Sequence, residues 1–197
     1  MKFVNSSAGF QTDCDLWEYL LVAQPDEEVN EKLWREKEFF RNYYDSATIA
    51  TSHITIASFL SKELMEETLA RWIQNICNLH TSFNVTLNNF SGFPPHIIYA
   101  RVLDPQPFKK LAAALKIIDG FIQSNDCPPL HLIAKPYVTI AEALPEHIYN
   151  TAVKEYAQRS FHASFKVEKL LLFKRDASMQ CRLINTFILP QPSLLFD

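Results

Sequence analysis

The chain lacks any pairing pattern among its cysteines. Cys14, Cys77, Cys127 and Cys181 are widely scattered, with no Cys-x-x-Cys pair and no histidine spacing that suggests zinc. Buried, reduced thiols are the expected state, and neither a metal nor a cofactor is implied. Also missing is an apolar run long enough to cross a bilayer; after Lys2 the polar Asn5-Ser6-Ser7 stands where a signal peptide would carry its apolar core. A cytoplasmic location without a membrane partner is the expectation. An excess of positive charge is absent too. The formal net charge of -3 argues against a general polyphosphate binder. The charge is uneven, however: residues 1–97 carry 7 basic and 13 acidic groups, residues 98–197 carry 12 and 9. That division suits a mildly basic second lobe facing an anionic ligand, or merely a solvated surface.

What is present is a core-forming composition and a repetition. With 48% hydrophobic residues in 197, the chain can bury a shared core as one domain or two small lobes. The organising stretch is Ser52-His53-Ile54-Thr55-Ile56-Ala57-Ser58-Phe59, echoed by Pro136-Tyr137-Val138-Thr139-Ile140-Ala141-Glu142-Ala143. In each copy an imidazole or a phenol stands two residues before a threonine, flanked by aliphatics. Period-two alternation sends those polar groups to one face of a strand and the aliphatics to the other. Each copy is followed by a helical run and then by a Ser-Phe-x-Val strand, Ser82-Phe83-Asn84-Val85 and Ser164-Phe165-Lys166-Val167. The offset is 84 residues at the motif and 82 at the later strand, which points to a duplication.

In chain order, residues 1–13 read as a loose lead-in and Leu16 to Ala23 as a strand. Pro25-Asp26-Glu27-Glu28 opens a helix to about Tyr44, because proline fits the first turn and carboxylates favour the positive end of the dipole. Its Val29, Leu33, Trp34, Phe40 and Tyr44 are expected in the core. The first motif strand occupies Ala47 to Phe59, and a helix from Leu60-Ser61 to about Leu79 carries the apolar stripe Met65, Leu69, Trp72, Ile73 and Ile76. Phe83 to Leu87 alternates as a strand, Asn88 to Pro95 reads as a turn, and His96 to Leu103 returns as a strand. Ile98, Ala100 and Val102 share one face of it. Tyr99 and Arg101 then take the other, either beside His53 and Thr55 on an open surface or as an exposed edge pair. A helix from Phe108 to Gln123 follows, with Leu111, Leu115, Ile118 and Ile122 inward. A loop over Ser124 to Pro129, the second motif strand, a helix from Pro145 to about Arg159, strands over Ser164 to Lys174 and Cys181 to Leu189, and a tail from Pro190 complete the chain.

The expected fold is α+β: a bilobal, pseudo-symmetric duplication of strand-helix-strand-strand units, with antiparallel sheets facing each other across a central cleft and helices outside. Residues 1–197 form one bilobal domain with repeat halves 47–123 and 130–189, completed by strand 16–23 and helix 26–44. One polar motif enters the cleft from each side.

Two strands carrying His-x-Thr in a bilobal repeat resemble the two-histidine (2H) phosphoesterase superfamily, which includes RNA 2',3'-cyclic phosphodiesterases and 2',5' RNA ligase-like proteins. The resemblance runs from the strand near Leu16 to the strand near Leu189. It implies metal-independent phosphodiester chemistry in which each threonine hydroxyl, here Thr55 and Thr139, holds a non-bridging phosphate oxygen. Opening a cyclic phosphate needs a base for water and an acid for the departing ribose oxygen, and two imidazoles titrating near neutrality supply both. Hydroxyls add hydrogen bonds where negative charge accumulates.

This chain departs from the family at the second motif, where Tyr137 replaces histidine. A phenol with an ordinary pKa of about 10 is protonated at neutral pH, so it donates but hardly accepts. His53 is then the base and Tyr137 the acid, unless Tyr137 is only a cleft-lining aromatic. His131 is no ready substitute: it shares strand parity with Tyr137 but lies six residues earlier, about 20 Å along an extended chain. Two functions follow. One is an enzyme acting on a cyclic or 2',5'-linked phosphodiester of an RNA end or small nucleotide. The other is a catalytically degenerate nucleotide- or RNA-end-binding module of the same fold; an interaction protein with an unused cleft would show neither activity. Tyr99 and Arg101 are further candidates for the substrate cleft.

Overall fold

The computed structural model describes residues 16–45, 51–93, 96–133, 135–175 and 180–192. The expected lead-in, Cys14, positions 47–50 of the first motif strand and the end of the tail lie outside the described residues. The first strand, β1 (Leu16–Ala23), leads into helix α1 (Glu27–Tyr44). Asp26 caps that helix by accepting the Val29 amide at 2.9 Å, as its position before two glutamates predicts. Strand β2 (Ile54–Lys62) carries the first motif and runs past the expected helix start, because it stays paired with β1 to Leu16↔Lys62. A short 3-10 turn, Glu63–Met65, then opens α2 (Glu66–Asn78).

Strands β3 (Phe83–Phe93) and β4 (Ile97–Val102) form the expected hairpin, but the turn is shorter than the polar run Asn88 to Pro95 predicts. Asn89 does adopt the left-handed conformation that asparagine tolerates, with φ 57°. It does so within a bulge between Leu87 and Phe90, and its side-chain oxygen accepts the Phe161 amide at 3.1 Å. The strand therefore continues to Phe93. Helix α3 (Gln106–Ser124) buries Leu111, Leu115, Ile118 and Ile122 as expected. The two-residue strand β5 (His131–Leu132) precedes the second motif strand β6 (Tyr137–Ala141), and α4 (Glu146–Tyr156) follows.

The single strand expected over Ser164 to Lys174 is two strands, β7 (His162–Val167) and β8 (Lys169–Arg175), and β9 (Cys181–Ile188) closes the chain. The break shows in the alternation. Ala163, Phe165 and Val167 are buried, and after Glu168 the buried parity passes to Leu170 and Leu172.

All strand pairs are antiparallel, in a five-stranded sheet ordered β5-β2-β1-β8-β9 and a four-stranded sheet ordered β6-β4-β3-β7. Helices α2 and α3 cover the first sheet, α1 and α4 the second, so each lobe is a sheet with two helices outside. The two motif strands stand in different lobes. Each lobe nevertheless takes strands from both halves of the chain, so the charge imbalance between the halves does not map directly onto the lobes. The two Ser-Phe-x-Val strands are direct neighbours, β3 and β7, with Val85↔Phe165 in register. Their likeness reflects identical demands of one sheet's interior rather than matching places in opposite lobes.

The core runs through both lobes. Val29, Leu33, Phe40, Leu69, Ile73, Ile118, Ile140 and Leu172 are all buried in one apolar cluster. Aromatic contacts tie α1 to α4 and β3: Phe40 lies 5.6 Å from Tyr156, and Tyr156 lies 5.0 Å from Phe90, ring centre to ring centre. Trp34, expected in the core, is 51% exposed. Its neighbour Leu33 holds the inward position, and one step along a helix rotates a side chain by about 100°. The buried stripe is Val29, Leu33, Lys37 and Phe40, with a lysine at its centre.

Candidate active site

The lobes enclose a cavity of about 570 Å³, a size suited to a small-molecule ligand. His53, just ahead of β2, and Thr55, its second residue, reach it from the five-stranded sheet; Tyr137 and Thr139 reach it from β6 of the other. All four motif positions thus meet at one cavity although 84 residues separate the copies. Strand alternation explains each half: Ile54 and Ile56 are buried on the helix side, as are Val138 and Ile140, which leaves the polar positions for the cleft.

Thr51, Ser58, Glu142, Arg175 and Cys181 also line the cavity, with Leu20 and Ile133 as apolar walls. Simple alternation from His53 would have turned Ser58 away. A bulge pairs Val22 with Thr55 and Leu21 with Ala57, inserting Ile56 and restoring Ser58 to the cleft. Arg175 is the last residue of β8. Its guanidinium donates from Nε (2.8 Å) and Nη2 (2.5 Å) to one oxygen of Glu18 across the β1–β8 pair.

The electrostatics of the two motif heads differ. Burial first, then the positive charges of Lys37 and Arg175, pull the His53 imidazole below the ordinary histidine range. It is neutral at pH 7, with Nδ1 3.5 Å from the Thr51 hydroxyl. Burial first, then the charge of Glu142 and the neighbouring Tyr99, push the Tyr137 phenol above its ordinary value. It keeps its proton and can donate it.

Tyr99 and Arg101 do share the Tyr137 face of their sheet, one strand further in, while Ile98 and Ala100 are buried on the other side. Neither is among the cavity-lining residues. The Tyr99 ring packs 5.0 Å from Tyr137, and Phe93 lies 5.4 Å from Tyr137 and 5.2 Å from Tyr99, so three rings brace the second motif head. Arg101 Nε donates to the Asn88 carbonyl at 3.2 Å. His131 pairs with Ser58 in the five-stranded sheet, on the His53 side of the cleft and not in the sheet that carries Tyr137.

Lys37, behind the cavity wall, has no place in the motif pattern. It is 2% exposed, and its Nζ donates to the Thr51 carbonyl at 2.9 Å beneath the approach to His53. The available signal was a lysine at the inward position of an otherwise apolar helix stripe. Glu142 stands in the motif repeat itself, at the place corresponding to Ser58.

No curated protein matches the chain. Among solved structures, apo LigT of E. coli superposes with a TM-score of 0.63 at 17% identity, covering 89% of this chain and 99% of that one. TT0787 of Thermus thermophilus gives 0.69 at 16% identity, covering 88% and 98%. LigT complexed with 3'-AMP gives 0.67 at 15% identity, covering 89% and 99%. These likenesses establish the fold. The model of the 2'-5' RNA ligase superfamily matches residues 29–178, a span holding both motifs and the whole of the four-stranded sheet, and the chain belongs to that superfamily.

Proposed function

We propose that this protein is a 2H-type phosphoesterase that acts, without a metal, on a cyclic or 2',5'-linked phosphodiester at an RNA end or in a small nucleotide. The observation that carries the reading is the convergence of His53, Thr55, Tyr137 and Thr139 on one cavity from two sheets. In this account the Thr55 and Thr139 hydroxyls donate to the non-bridging phosphate oxygens. His53, neutral at pH 7, takes a proton from water as the water oxygen bonds to phosphorus. The bond from phosphorus to the ribose oxygen breaks, and Tyr137 delivers its proton to that oxygen. A ribose alkoxide is a strong base, so even a phenol with a raised pKa can protonate it. The binding of 3'-AMP by LigT, a protein of the same fold, supports a nucleotide-sized occupant.

A second reading, a nucleotide- or RNA-end-binding module that does not turn over, is favoured by two features. These are a phenol at the acid position and the Glu142 carboxylate beside it, which opposes a bound anion. Ligand-induced thermal shifts run beside product analysis separate the readings. An enzyme gives stabilisation and product, both reduced in His53→Ala; a binding module gives stabilisation alone, weakened in Thr55→Val. Neither signal with any cyclic nucleotide or phosphorylated RNA end would remove both.

A further inference from the structure

Buried lysines are costly, and Lys37 is unusual among the described residues. Its place in the Val29, Leu33, Phe40 stripe of α1 is one that a methionine or leucine would fill with better packing. The residue is 2% exposed, yet with its pKa pushed down to about 8, chiefly by burial, the ammonium still carries its proton at pH 7. A charge retained at such a place needs a reason, and its surroundings supply one. Nζ donates to the Thr51 carbonyl at 2.9 Å. The Thr51 hydroxyl stands 3.5 Å from His53 Nδ1. The ammonium also interacts electrostatically with His53 and with Glu142, which line the cavity from opposite lobes.

Lys37 also crosses the seam. Helix α1 packs on β6 and β7 of the four-stranded sheet, whereas Thr51 and His53 lead into β2 of the five-stranded one. We propose that Lys37 is the positioning residue of this cleft: from the helix of one lobe its ammonium pins the Thr51–His53 approach of the other and sets a fixed positive charge within reach of the imidazole. Two consequences follow. The hydrogen bond fixes where His53 enters the cavity relative to Tyr137. The charge disfavours imidazolium, so His53 starts each cycle able to accept a proton, with Arg175 on β8 acting in the same sense and Glu142 after β6 against it.

The catalytic half of this inference rests on His53 being the base; the electrostatic half does not. The test is therefore an NMR titration of the His53 ring protons, assigned by their loss in His53→Asn, in wild type, Lys37→Met, Lys37→Gln and Lys37→Arg, with turnover of a 2',3'-cyclic nucleotide measured alongside. The neutral variants should raise the His53 midpoint towards the ordinary histidine value and lower kcat by about tenfold, part of the roughly 10²- to 10⁴-fold that a positioned base supplies. Arginine, keeping the charge, should hold the midpoint near that of wild type. If methionine prevents folding, glutamine reads the same quantity. An unchanged midpoint in a folded neutral variant, or an equal shift in Lys37→Arg, overturns the proposal. Absence of turnover by the wild type would count against the phosphoesterase reading alone, since the titration still decides the role of Lys37.

Discussion

Thr55 and Thr139 occupy the same step of their respective motifs, in strands of different sheets, and both line one cavity. Two hydroxyls entering from opposite walls suit a tetrahedral anion, whose oxygens point apart. Hydrogen bonds to charged groups contribute about 1.5–3 kcal/mol each. Thr55→Val and Thr139→Val should each weaken binding of a nucleoside 2',3'-cyclic phosphate by about tenfold or more in calorimetry, with the fold intact. Unchanged affinity in both would place the anion elsewhere.

Glu142 gives the cleft an opposing sign. In Glu142→Gln the phenol of Tyr137 loses a charge that raises its pKa, and a bound anion loses a repulsive neighbour. A nucleoside 3'-monophosphate should bind about twofold to fivefold more tightly, a modest gain because the carboxylate is exposed and screened. Weaker binding would mean that the carboxylate holds the ligand instead of repelling it.

The pH dependence of activity follows from the two heads. In the proposed mechanism turnover needs His53 deprotonated and Tyr137 protonated. Since the imidazole is shifted down and the phenol up, the active range extends on both sides of the ordinary histidine and tyrosine values. The acid limb of kcat/KM should thus fall below the usual histidine range, with no alkaline loss from Tyr137 before about pH 10. An acid limb at or above about 6.5 contradicts the assignment of His53 as the base.

Stability should respond to Lys37 in a defined window. Its folded pKa is about 8 against about 10.5 unfolded, so the unfolded state binds more protons between those values and stability rises with pH across them. Below about pH 8 the full penalty applies, roughly 3 kcal/mol at about 1.4 kcal/mol per pKa unit. Tyr19, Tyr44 and Tyr156 act oppositely above about pH 10, because their folded phenols titrate higher than unfolded ones. Burial also pushes the Cys77 thiol up to about 12, which lowers stability above about pH 9, so urea midpoints should climb from about pH 8 to about pH 9 in wild type and lose that rise in Lys37→Met.

Two aromatic positions on α1 separate core from surface. Phe40 is fully buried against Tyr44 and Tyr156, and Phe40→Ala should cost about 3–5 kcal/mol. Trp34→Ala should stay within about 0.5 kcal/mol, since that ring is half exposed. Equal costs in chemical denaturation would mean that the inward stripe has been misassigned.

The elements legible in the sequence are those set by local periodicity. β1 has its expected bounds, α3 buries its expected stripe, and the alternation around Thr55 and Thr139 places both in the cleft. Less legible was anything fixed by distant pairing. Which sheet receives β7 or β8 depends on partners far away in the chain, and only the parity slip at Glu168 marks the change of sheet. The Ile56 bulge that returns Ser58 to the cavity leaves no mark in an alternation count. Arg175 and Glu18 meet across 157 residues, and neither looks special alone. Lys37 was hidden because a lone lysine within a helix reads as a solvated side chain until its neighbours in the stripe are known to be buried.

The most direct measurement of the central claim is product formation from a panel of 2',3'-cyclic nucleotides in chelator-treated buffer, using wild type, His53→Ala and Tyr137→His. A cleft assembled from both motifs predicts product with wild type, its loss without the imidazole, and a faster reaction once histidine replaces the phenol. No product from either wild type or Tyr137→His, under conditions where the nucleotide demonstrably binds, would contradict it.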